Sequence, residues 1–139
     1  MNHRDSNLLQ LRPEILTAKV SENMSRDEHF QNITLRPLVK LQDQLLLEVF
    51  KNYIHKHKNT FYGLSVEKKI QFIENVIQRD IKFRNSLKGI IIGQFTLEEY
   101  STYIQNSSSL NKRMMNLVKD RMIFNIQLLE DQEIYQQAQ

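Results

Sequence analysis

From Leu35 onward the apolar residues of this chain return every three or four positions: Leu38, Leu41, Leu45, Leu46, Val49, Phe50, Tyr53 and Ile54. That spacing lays them along one stripe of a helix. Val66, Ile70, Ile73, Val76 and Ile77 repeat it. So do Leu110, Met114, Leu117, Val118, Phe124 and Leu128, a face that Met115 and Met122 widen. No segment alternates with the period of two that a half-buried strand requires. The pattern predicts an all-α fold.

Polar punctuation sets the boundaries. Ser25-Arg26-Asp27-Glu28 and Thr96-Leu97-Glu98-Glu99 read as capping boxes: the hydroxyl accepts from the N–H three residues on, and the glutamate reaches back. Phe95 and Tyr100 occupy the hydrophobic-staple positions around the second box. Gly63-Leu64-Ser65 marks a loop and a new start, and Asp80 is an N-cap for a piece carrying Ile81, Leu87, Ile90 and Ile91. Pro37 interrupts the first stripe. Either a helix ends near Ile33 and Pro37 opens the next, or one helix kinks there, the preferred reading, and ends around His57.

Gly89-Ile90-Ile91-Ile92-Gly93 reads as a helix end, with Gly93 turning the chain and the glycines permitting a close helix crossing. As a strand it would lack a partner, and Lys88 and Gln94 bracket it against a membrane GxxxG contact. Asn106 to Ser109 break the chain before a last helix over 110–130, and the polar tail 131–139 is expected to fray. Residues 1–24 hold no sustained period, and Pro13 blocks a helix through Arg12-Pro13. They predict an extended arm that lays Leu8, Leu9, Leu11, Ile15 and Leu16 on the body or on a second subunit. The expectation is one domain at 25–139, a bundle of about five helices, behind that arm.

Composition narrows the chemistry. The 139 residues, 40% hydrophobic and 25% charged, suffice for a single unstapled core. Zero cysteine excludes disulfides, thiolate metal sites and cysteine nucleophiles, and suits a reducing cytoplasm. The start has no apolar run of signal-peptide length, and the longest aliphatic runs, Leu45–Leu47 and Ile90–Ile92, fall far below the roughly 20 residues of a membrane span. A soluble, cytoplasmic protein with no membrane partner is expected. Glycines at 63, 89 and 93 draw neither a P-loop nor GxGxxG, and no GxSxG occurs.

His55-Lys56-His57-Lys58 has a metal-ligand spacing only on a strand. On a helix, residues two apart diverge by about 200°, so these cations are read as offsetting a helix C-terminus. His3 and His29 are isolated, and the carboxylate pairs Asp27-Glu28 and Glu98-Glu99 sit where helix starts favour negative charge. No catalytic residue, metal ligand or cofactor is expected.

Charge is uneven. Residues 51–121 hold 13 Lys and Arg against 6 Asp and Glu, whereas residues 122–139 hold none against 3. The basic middle supplies a candidate anion or nucleic-acid patch: Arg79, Lys82, Arg84 and Lys88, with Lys112, Arg113 and Lys119. No aromatic platform interleaves these residues, and no helix-turn-helix with a short glycine turn is visible. The common role of such charges is a solvated face, with Lys82 and Lys119 pairing local acids. Arg121 falls near the inward stripe of the last helix and there needs a carboxylate.

Three segments, FQNITLRPLVKLQ (Phe30–Gln42), KFRNSLKGIIIGQFTLEEY (Lys82–Tyr100) and SSSLNKRMMNLV (Ser107–Val118), together resemble a family of small, uncharacterised bacterial proteins often labelled "glyoxalase". The similarity spans nearly the whole chain. The label implies a lyase of the glyoxalase type, whose metal-dependent members hold their site on curved sheets with His and Glu; it brings no residue of this sequence with it. From the residues themselves, the leading expectation is a non-enzymatic module that binds another protein or itself, with a homodimer formed by arm exchange as its specific form. The second is nucleic-acid or polyanion binding through the basic patch.

Overall fold

A computed structural model describes residues 1–15 and 21–129. Its helices are α1 (His3–Leu11), α2 (Arg26–Phe30), α3 (Arg36–Leu41), α4 (Asp43–Lys56), α5 (Val66–Arg79), α6 (Ile81–Ile92), α7 (Leu97–Ile104) and α8 (Ser107–Phe124). A π-helical turn, Gln31–Leu35, joins α2 to α3, and a 3₁₀ turn, Thr60–Gly63, precedes α5. No strand occurs among the described residues. The all-α expectation stands, but with eight α-helices among the described residues rather than about five.

Helix α8 is the axis of the bundle, packed against α3, α4, α5, α6, α7 and the π turn. Its Leu110, Met114, Met115, Val118 and Met122 are buried. Around it lie Leu38 of α3, Leu46, Phe50 and Ile54 of α4, Ile73 and Ile77 of α5, and Phe83, Leu87 and Ile91 of α6. Phe50 is the centre of an aromatic cluster, with ring centroids 5.9 Å from Phe61 and 6.0 Å from Phe83. Lys69 is also inside, its ammonium 5.5 Å from the centre of the Phe61 ring. Cation–π attraction supports a lysine there, and its position one turn before Ile73 put it on the apolar stripe.

The helix starts obey local capping chemistry. Ser25, Ser65, Asp80 and Thr96 each accept from the backbone N–H three residues on, and the Thr96–Glu99 box is reciprocal. The staple differs: Phe95 meets Tyr103 and Phe30 edge-on, while Tyr100 is half exposed. Pro37 sits inside a continuous helical run and does not open a separate helix. Proline offers no N–H to the carbonyl four residues back, and the wider π turn just before it absorbs that loss. A second break at Gln42 separates α3 from α4, which ends at His57 as expected.

Four further expectations are corrected. The N-terminal segment is not extended: Asn2 caps α1, and Pro13 merely stops the helix before Arg12. Leu8 and Ile15 are half-buried as expected, but Leu9 and Leu11 are exposed, and charged and polar contacts also dock α1. Arg4 donates to the carbonyls of Phe95 (2.9 Å) and Gly93 (3.0 Å), and the buried Asp5 accepts from the Leu97 N–H at the start of α7. Leu16 and the tail from residue 130 lie outside the described residues.

Gly93 is not left-handed (φ −60°), and an added Cβ at Gly89 meets nothing within 4 Å, so no helix crossing needs it. The left-handed residues are Lys58 and Asn59, which take the chain out of α4 without a glycine. Finally, Phe124 and Leu128 face outward, 75% and 55% exposed. Asn125 ends α8, and the change of phase turns Leu129 inward in place of Leu128.

Candidate anion-binding cleft

Helices α5 and α6 form a hairpin whose hinge is Asp80. Its carboxylate caps α6 through the Phe83 N–H (3.2 Å) and accepts from the Tyr53 hydroxyl of α4 (2.7 Å). Burial, reinforced by the Asp80 hydrogen bond and charge, pushes the Tyr53 hydroxyl up to about 12. Tyr53 therefore stays protonated and keeps donating across the physiological range. This tie sets where α6 leaves the hinge, and so where Arg84 points relative to α8.

The result is a cleft of about 300 Å³ between the three helices. Helix α5 contributes Glu74, Ile77 and Gln78, α6 contributes Arg84, and α8 contributes Lys112, Met115, Asn116 and Lys119. Ile77 and Met115 are only 3% and 4% exposed and form the floor. The cations are on the walls. Among the described residues, the side chains of Arg84, Lys112, Lys119 and Glu74 have no hydrogen-bond or ion-pair partner.

A larger concavity, about 450 Å³, carries three cations as well: Arg36, Lys40 and Arg121. Each of these is already engaged. Arg36 donates to Asn32 (2.9 Å), Lys40 to the Glu14 carbonyl (3.3 Å), and Arg121 to Asp43 (2.7 Å). Arg121 thus finds the carboxylate its position requires, and Asn125 donates to the same Asp43. Of the three, only Arg121 has its charge offset among the described residues, by Asp43, but Asp120 lines the same wall, so the smaller cleft, with Glu74 alone against three cations, is the more positive of the two.

Of the seven basic residues predicted as a patch, the fold brings Arg84, Lys112 and Lys119 together. Arg79 and Lys82 are exposed on either side of the hinge, and Lys88, one turn beyond Arg84, does not line the cleft. Arg113 turns the other way and donates to Gln31 of the π turn (3.0 Å). Neither Lys82 nor Lys119 forms an ion pair among the described residues. Glu74, Gln78 and Asn116 were missed. Lys112, Asn116 and Lys119 share a helical face by spacing, as do Glu74 and Gln78, so sequence carried that signal on each helix separately.

Elsewhere, His57 closes α4 by stacking on Tyr53, ring centroids 4.0 Å apart, while His55 is exposed. Among the described residues no three His, Cys, Asp or Glu are grouped to hold a metal ion, and no helix is long and apolar enough to cross a membrane. No protein-family model, curated protein or solved structure matches the chain.

Proposed function

We propose that the protein is a non-catalytic binder of polyanions, with nucleic acid as the principal partner, acting through the α5–α6–α8 cleft. One observation carries this reading: three unpartnered cations from two helices converge on one concavity. Three cations set against the single carboxylate of Glu74 leave the cleft with a surplus of positive charge, and a phosphate relieves that repulsion on arrival. Fluorescence anisotropy with a labelled single-stranded oligonucleotide tests it. Affinity should fall linearly on a log–log plot against salt, and the Arg84→Glu/Lys119→Glu variant should abolish binding. No binding at low salt, or binding untouched by the variant, removes the proposal.

A second reading, a self-associating module, has its own support. Leu9 and Leu11 of α1 are 41% and 63% exposed while the helix is held by arginines, so its leucines remain available to a second subunit. Light scattering on the wild type and on Leu9→Ser/Leu11→Ser decides it. Two monomers would dispose of the idea.

A further inference from the structure

We infer that the cleft is a nucleotide subsite, taking a phosphate at its rim and a flat nucleobase on its floor. This rests on the polyanion reading and makes it specific. Three features point the same way.

The first is shape. A cavity of about 300 Å³ matches the lower end of small-ligand pockets, and a concave wall cannot enter a duplex groove. What enters it must protrude: a free nucleotide, or an unpaired or terminal residue of a single strand.

The second is the division of polarity. The bottom is Ile77 and Met115, both apolar, and the thioether of Met115 suits an aromatic face. A site for inorganic phosphate alone has no use for an apolar floor. The charges come on long side chains from the first turn of α6 and the middle of α8, which places a phosphate at the mouth and the rest of the ligand below it.

The third is Glu74. A lone carboxylate among three cations weakens any site meant for bare anions, yet here it has no internal partner. It is exposed on the cleft wall, where it can accept from a donor on the ligand. A ribose hydroxyl or the exocyclic amine of adenine or cytosine supplies one, as acidic side chains do in nucleotide and base recognition. The amides of Gln78 and Asn116 can meet the remaining ring edge, since each both donates and accepts.

Calorimetric titration of the full chain with adenosine monophosphate, cytidine monophosphate and inorganic pyrophosphate is the test, together with competition against the single-stranded oligonucleotide. The expected order is a nucleoside monophosphate at least tenfold tighter than pyrophosphate, with the Met115 methyl resonance moved by the ring current of the base and not by pyrophosphate. Glu74→Gln should weaken the nucleoside monophosphate several-fold while leaving pyrophosphate equal or tighter. Arg84→Gln should weaken both. Displacement of the oligonucleotide by the monophosphate assigns the subsite to an unpaired nucleotide of a strand, and monophosphate binding without any oligonucleotide binding assigns it to the free nucleotide. Pyrophosphate bound as tightly as the nucleotides, with no Met115 shift, overturns the subsite while polyanion binding survives. No binding of nucleotide, pyrophosphate or oligonucleotide overturns both.

Discussion

Arg12, at the end of α1, reaches both oxygens of Glu99 at 2.5 Å, and its side chain is 7% exposed. Arg84, on the wall of the cleft, meets no partner among the described residues. The N-terminal latch and the cleft therefore use the same side chain for opposite ends. In the latch every carboxylate oxygen is occupied: Glu99 also accepts from Thr34 (2.8 Å) and from the Thr96 N–H (2.8 Å), and Arg12 donates as well to the Gln94 carbonyl (2.9 Å). Charge placed this way orders the chain. Charge left unmatched on a concave surface orders nothing, and its use is to meet something else.

The comparison is broken most directly by removing each arginine. Arg12→Leu strands a buried carboxylate and should lower the unfolding free energy by about 3–5 kcal/mol, the usual cost of halving a buried pair. Arg84→Leu should stay within about 0.5 kcal/mol of wild type, as surface changes do. Urea denaturation of both variants measures the difference. Adding Glu99→Leu to Arg12→Leu should recover only part of the loss, because Glu99 is also the reciprocal half of the α7 cap. Equal losses for Arg12→Leu and Arg84→Leu would mean that the cleft cations are structural too.

Acid distinguishes the two regions next. Burial opposes the charged form of Glu99, but the hydrogen bonds from Arg12, Thr96 and Thr34 and the Arg12 charge outweigh it, so its carboxyl is held below the ordinary 4.5. A depressed folded-state value means the stabilisation is complete above about pH 4.5 and is lost as pH falls through that lower value. Asp27, held down chiefly by the Ser109 and Asn106 hydrogen bonds, and Asp80, held down by Tyr53 and the Phe83 N–H, lose theirs in the same direction. Thermal melts from pH 7 downward should show a steep acid limb for wild type and a shallower one for Glu99→Gln. Superimposable limbs would show that Glu99 is not held down by its partners.

The latch was the less legible of the two in the sequence. Capping signals are local, so Ser25, Ser65, Asp80 and Thr96 could be read from a few neighbouring residues, and the stripes of α4, α5 and α8 from their spacing. Arg12 and Glu99 are 87 positions apart, and nothing in either neighbourhood names the other. Pro13 misled, because it reads as a block on the whole segment when it only ends α1. Asn125 misled similarly: one turn residue shifts the phase, and Phe124 and Leu128 leave the core. For the cleft, the cations were visible as composition. Their convergence was not, because it depends on how α5 and α6 cross α8, and on Asp80 and Tyr53 fixing that crossing.

Helix α6 joins the two regions, with Arg84 on the cleft and Gly93 under the latch, and its glycines sharpen the contrast at lower cost. An added Cβ at Gly89 meets nothing within 4 Å, so Gly89→Ala should stabilise by about 0.5–1 kcal/mol through helix propensity alone. At Gly93 the Cβ comes 3.0 Å from the Gly89 carbonyl oxygen, and the Gly93 carbonyl is held by Arg4. Gly93→Ala should therefore gain less than Gly89→Ala or lose outright, as a shift in melting temperature will show. A larger gain at Gly93 would mean that the latch end of α6 is looser than its hydrogen bonds indicate.

The smallest effect bears most closely on function. Three cations gathered against the one carboxylate of Glu74 should strain the free protein slightly, so Lys112→Met/Lys119→Met is expected to melt a little higher than wild type at low salt. The gain should be a few tenths of a kcal/mol, of the order measured for exposed charge pairs with the sign reversed. Near 1 M salt, where screening acts over about 3 Å, it should vanish. Phosphate should also raise the melting temperature of wild type and not of the variant, because a ligand stabilises only the state that binds it. That pairing matters more than either result alone. A surface that is mildly destabilising when empty and stabilising when filled has its charges arranged for a ligand, whereas merely solvated lysines would show neither change.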